Sequence, residues 1–185
     1  GDGDGFDSDP TDPDASSTDD QTFSHGTHVG STIAAKNDGS DFNGFGLKVL
    51  PLRVCGTDAS EAGCSSYAIY NALLYAAGLA NDSGTSYSSS SNPLRVINMS
   101  LGGPSYDYFC DIIDDVRAQG IVVVAASGND AEDVPGGKNY PASCDGVISV
   151  GATGPDESRA PYSDYNNFVD IAAPGGDLRN DSNGD

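Results

Sequence analysis

Ile121-Val122-Val123-Val124-Ala125-Ala126 is an unbroken apolar run, preceded by Gly120 and followed by Ser127-Gly128-Asn129. Its length, β-branched content and glycine boundaries predict a strand buried on both faces. Upstream, residues 106–119 read as a helix that Gly120 stops, and residues 94–99 as another apolar strand. A Ser-rich loop spans 81–93. Residues 65–80 predict a helix with Ile69, Leu73, Ala76, Ala77 and Ala80 on one side, and Ser65 and Ser66 are its candidate caps. Further back, residues 47–54 (Leu-Lys-Val-Leu-Pro-Leu-Arg-Val) read as a buried strand interrupted by Pro51, and residues 25–35 as a helix. Downstream, a polar loop over 130–145 leads to strands at 147–150 and 168–172. Apolar strands alternating with helices predict an α/β fold with three layers, a mostly parallel sheet carrying helices on both faces. Ligands on such sheets sit beyond the carboxyl ends of the strands.

The chain has 185 residues, enough to bury one good core, and 37% of them are hydrophobic. Its formal net charge of −20 excludes a generic binder of nucleic acid or of anionic membrane, because phosphate demands the opposite sign. Solubility and salt adaptation are the first reading of this acidity. No apolar run reaches the roughly 20 residues of a transmembrane helix. The opening Gly1-Asp2-Gly3-Asp4-Gly5 does not read as a signal peptide, and Met99 is the only methionine. The start therefore reads as the interior of a longer protein.

Cys55, Cys64, Cys110 and Cys144 form an even set without Cys-x-x-Cys spacing. The two histidines stand together, away from any cysteine pair, which argues against zinc. The expected pairing is Cys55–Cys64, closing a short Gly/Asp/Ser loop, with Cys110–Cys144, joining a helix start to a loop. Four free buried thiols are the alternative. Paired cysteines imply an oxidising, extracellular setting.

Three segments carry chemistry. Ser24-His25-Gly26-Thr27-His28-Val29-Gly30-Ser31 places a histidine at a helix start, with a glycine behind it that leaves room for a substrate. Val96-Ile97-Asn98-Met99-Ser100-Leu101-Gly102-Gly103 runs a strand into a Gly-Gly turn, and Ser127-Gly128-Asn129 ends the strand at 121–126. In this order and at these separations they resemble the subtilisin-like serine proteases. Further likeness runs through Tyr140-Pro141-Ala142-Ser143, residues 147–153 and Ala172-Ala173-Pro174-Gly175, so it covers about residues 7–185. The resemblance implies a subtilisin-like fold and hydrolysis of peptide bonds. It makes His25 the general base, which takes a proton from a serine and returns it to the leaving amine. It makes Asn129 the side-chain donor to the oxyanion. Ser100, Leu101 and Gly102 would line the substrate site, where an extended peptide adds alongside through backbone hydrogen bonds. His28 is expected to be a packed, hydrogen-bonded neighbour.

Two parts of the family's triad do not appear. Asp7-Ser8-Asp9 lacks the apolar strand that precedes the triad aspartate, and the nucleophile motif Gly-Thr-Ser-x-Ala occurs nowhere. Gly84-Thr85-Ser86 continues into Tyr87 and lies upstream of Asn129, whereas the family places its serine downstream. The expectation is that residues 1–185 form the central part of a single catalytic domain, incomplete at both ends and inactive by the triad mechanism as it stands.

Residues 1–23 form an acidic opening in which Asp2, Asp4, Asp7, Asp9, Asp12 and Asp14 are spaced by glycine and proline. Hard divalent cations take several oxygen ligands from such a flexible loop. Some relatives in the resembled family carry calcium just before the histidine helix, which makes Asp7, Asp9, Asp12 and Asp14 the expected ligands. A solvated acidic loop is the alternative. Residues 37–43 and the set Asp177, Asn180, Asp181 and Asn183 are further candidates. The resulting expectation is a secreted, monomeric serine endopeptidase that acts on polypeptides, with structural calcium and no nucleic-acid or membrane partner. The alternative is a calcium-binding extracellular module or pseudoprotease.

Overall fold

The computed structural model describes residues 25–35, 47–56, 63–103, 108–131, 139–165 and 167–176. The chain divides into two compact units, Gly1–Ala72 and Leu73–Asp185.

In the first unit, helix α1 spans His25–Ala34 and starts at the histidine, as its sequence predicts. The hydroxyls of Ser31 and Thr32 donate back to the His28 carbonyl at 2.8 and 3.0 Å, a local bond that small hydroxyl residues make inside helices. None of the ten residues of α1 is buried. His28 is thus exposed, against the expectation that it packs.

The predicted strand at 47–54 does not form. Only Cys55–Gly56 (β1) is strand, paired antiparallel with Gly63–Cys64 (β2). Leu47, Val49 and Leu52 are 59, 44 and 38% exposed, so the segment is not buried either. An apolar run reports that a segment can be buried, but a strand exists only through a neighbour, and among the described residues this one has none. Pro51, without an N–H, weakens it further. The Cys55–Cys64 disulfide joins two directly opposed residues of the hairpin, confirming that pairing.

Helix α2, Ser66–Ala76, follows at once. Ser65 caps it, its Oγ accepting the Ala68 N–H at 3.4 Å. It ends four residues before the predicted limit of 80, because Gly78 takes a positive φ of 74°. The N–H of Gly78 then bonds the Tyr75 carbonyl and that of Leu79 the Leu74 carbonyl, closing the helix with the paired bonds of a Schellman motif. Ile69, Leu73 and Ala76 are buried, on the side that the spacing marks as apolar.

The second unit holds a four-stranded parallel sheet in the order β3-β4-β5-β6, with β3 at Val96–Met99, β4 at Val122–Ala126, β5 at Ile148–Thr153 and β6 at Ile171–Pro174. The α/β class is therefore as the sequence predicts. The last two strands lie a few residues later than expected, since β5 runs on to Thr153 and β6 starts at Ile171. Helix α3, Tyr108–Ala118, packs on β4. Its Phe109, Ile112, Ile113 and Val116 recur at helical spacing and are all buried, as are Val123 and Ala125 of β4 and Met99 of β3. Burying each large apolar side chain contributes about 1.5–3 kcal/mol, so this face stabilises the packing of α3 on the sheet.

Gly120, with φ 80°, ends α3 and turns the chain into β4. The Cys110–Cys144 disulfide ties the first turn of α3 to a loop in which Tyr140, Ala142, Ser143 and Cys144 are buried. Closing its 34-residue separation contributes roughly 3–4 kcal/mol in the chain-entropy model.

Candidate active site

Parallel pairing sets the site. The last pair between the adjacent strands β3 and β4 is Met99 with Ala125, so both strands reach the same edge of the sheet together. Ser100-Leu101-Gly102 leaves β3 there, and Ser127-Gly128-Asn129 leaves β4 beside it. The two predicted segments therefore meet at the carboxyl edge, where such sheets bind ligands. The Asn98 side-chain amide donates to Ser100 Oγ at 3.0 Å. Asn129 itself is exposed.

What holds these loops is a pair of residues that the sequence does not single out. The Asn139 amide donates to the Ser127 carbonyl at 2.8 Å, and its Oδ1 stands 2.7 Å from where a Cβ on Gly102 would lie. Asn139 thus fills the gap between the β3 and β4 loops. Its neighbour Tyr140 exchanges two backbone bonds with Gly103, at 3.0 and 2.9 Å.

Asp164 holds the other side. Its N–H donates to the Gly128 carbonyl at 3.1 Å, its Oδ1 accepts the Asp130 N–H at 2.8 Å, and its carbonyl accepts Ser127 Oγ at 3.4 Å. A further backbone bond, Ala131 N–H to the Tyr162 carbonyl at 2.9 Å, extends the same seam.

Gly128 is the one position of the loop that must lack a side chain. Its φ is 122°, and a Cβ there would run into Asp164 Oδ2 and stand 2.6 Å from Asn139 Nδ2. Both neighbours are held by bonds of their own, so neither retreats freely. Gly128→Ala is expected to lower stability by at least about 1–3 kcal/mol from the backbone conformation alone. Thermal unfolding checks this, and an unchanged melting temperature would mean that the two side chains yield.

His25 begins α1 in the first unit, while Asn129, Ser100, Leu101 and Gly102 belong to the second. Asp7, Asp9, Asp12 and Asp14 lie outside the described residues, as do residues 37–43 and Asp177, Asn180, Asp181 and Asn183. Among the described residues no group of three or more His, Cys, Asp or Glu side chains could hold a metal ion. Asn139 carried one signal in the sequence, its place directly before Tyr140-Pro141-Ala142-Ser143. Asp164 carried none.

The model of the subtilase family matches residues 2–185. The chain is 38% identical over 161 residues to an extracellular basic protease of Dichelobacter nodosus, covering 82% of this chain and 24% of that protein. It is 37% identical to subtilisin DY of Bacillus licheniformis, covering 82% of this chain and 51% of the relative. A solved protease of Pseudoalteromonas arctica superposes with a TM-score of 0.69 at 36% identity, over 80% of this chain and 43% of that one. The chain thus spans between a quarter and a half of the length of these relatives.

Proposed function

The chain belongs to the subtilase family, and on that footing we propose that it supplies the general base and the oxyanion donor of a serine endopeptidase. The observation that carries the reading is the juxtaposition at one sheet edge of the Asn129 loop and the Ser100–Leu101–Gly102 segment. In the full-length protein a serine Oγ attacks the scissile carbonyl, and the His25 imidazole takes its proton and returns it to the leaving amine. The Asn129 amide donates to the carbonyl oxygen as it becomes anionic, a contact that strengthens only as the barrier is approached. The polypeptide lies extended beside Ser100, Leu101 and Gly102, its backbone bonded to theirs.

The 185 residues hold no Gly-Thr-Ser-x-Ala. We read them as the central part of one catalytic domain, inactive by this mechanism when isolated. A fluorophosphonate probe, which reacts with an activated serine, is expected to label the full-length protein and leave the 185-residue chain unlabelled. An unlabelled full-length protein without peptidase activity would favour the reading as a calcium-binding extracellular module or pseudoprotease.

Calcium is the proposed structural ion, with Asp7, Asp9, Asp12 and Asp14 as ligands, because closely spaced carboxylates in a glycine- and proline-rich stretch match the oxygen donors it takes. Binding to the native state alone would raise the melting temperature, by about 2.7 kcal/mol of added stability at a hundredfold excess over Kd. A calcium titration of the full-length protein that leaves the melting temperature unmoved would remove the ion from the account.

The Dichelobacter nodosus relative is named as an extracellular protease, and all four cysteines are paired. We place the protein outside the cell on those two grounds, as a monomer acting on polypeptides. No helix among the described residues is long and apolar enough to cross a membrane.

A further inference from the structure

We infer that Asp164 is a positioning residue for the oxyanion donor, acting on Asn129 through the backbone on either side of it. The inference rests on the reading of Asn129 given above. Asn129 is bracketed by two bonds to one distant residue. The carbonyl just before it, on Gly128, accepts the Asp164 N–H at 3.1 Å, and the N–H just after it, on Asp130, donates to Asp164 Oδ1 at 2.8 Å.

The other carboxylate oxygen, Oδ2, occupies the space that a Gly128 side chain would need. Glycine and carboxylate are therefore complementary, and the positive φ of Gly128 persists with Asp164 packed against it. Asp164 is only 3% exposed, so it is a fixed strut and not a mobile surface group. Asn129, by contrast, is exposed, and the order of its backbone comes from this clamp.

An oxyanion donor works because its place is set before charge develops, within about 2.7–3.1 Å of the oxygen it serves. Freeing the loop leaves substrate binding largely intact and degrades the step at which the donor counts. The expected signature is a loss in kcat with little change in KM.

The test uses the full-length protease and kinetics on a peptide substrate. Asp164→Ala is expected to lower kcat by about 10- to 100-fold, the cost of misplacing a group by about 1 Å. Asp164→Asn, which keeps an oxygen acceptor for the Asp130 N–H, is expected to restore most of that loss. In an Asn129→Ala background, Asp164→Ala is expected to add nothing further, since the donor it positions is gone. Circular dichroism and thermal unfolding establish that each variant folds. If Asp164→Ala does not fold, Asp164→Ser replaces it, its shorter side chain falling short of the Asp130 N–H. Losses that multiply in the double variant, or a loss confined to KM, would overturn the positioning role. An Asn129→Ala variant with unchanged kcat would instead overturn the reading of Asn129 beneath it.

Discussion

Replacing His25 by alanine in the full-length protein is expected to reduce kcat by roughly 10⁴-fold or more, the size of loss that serine proteases of this kind suffer when a triad member is removed. In the proposed mechanism the imidazole takes the serine proton in the first step and gives it to the leaving amine in the second, so neither step would proceed well without it. Folding should survive the change. None of the residues of α1 is buried, so truncation at its first position opens no cavity. Exposed substitutions of this sort shift stability within about 0.5 kcal/mol. The measurement is kcat beside the melting temperature. Turnover retained by a folded variant would remove His25 from the mechanism.

The second large effect belongs to Asn129. Its alanine variant is expected to lose about 10²–10³ in kcat, the cost known for an oxyanion donor in a relative from the same family. KM should change little, because the interaction is made chiefly when the carbonyl oxygen carries charge. Steady-state kinetics separate the two constants. A rise in KM at constant kcat would recast Asn129 as a binding group for the substrate's ground state. In the proposed mechanism the two variants also differ in what remains: His25→Ala retains the donor, whereas Asn129→Ala retains the base.

The elements that local pattern encodes could be read directly. The apolar run 121–126 became β4, the helix read at 106–119 became α3 at Tyr108–Ala118, and Ser65 became a cap. Both disulfides follow the expected pairing. Residues 47–54 failed because strand formation depends on a partner, about which a segment's own composition is silent. The same limit explains the site. Ser100–Gly102 and Asn129 are visible as strand ends, but Asn139 and Asp164 act at sequence separations of 12 and 34–37, and an Asn or Asp in a polar loop looks alike whether it braces a site or faces water.

Those separations carry a consequence in time. A ribosome delivers β4 and its Ser127-Gly128-Asn129 exit well before Asp164, and the residue that clamps the loop emerges only 34 positions after Asp130. Until then the nascent chain has the residues of this loop without the Asp164 bonds that shape it, and Gly128, the freest residue in it, lacks the carboxylate that packs against its left-handed turn. The loop is therefore expected to mature late during synthesis, after the strand that leads into it, because its clamp is a long-range contact.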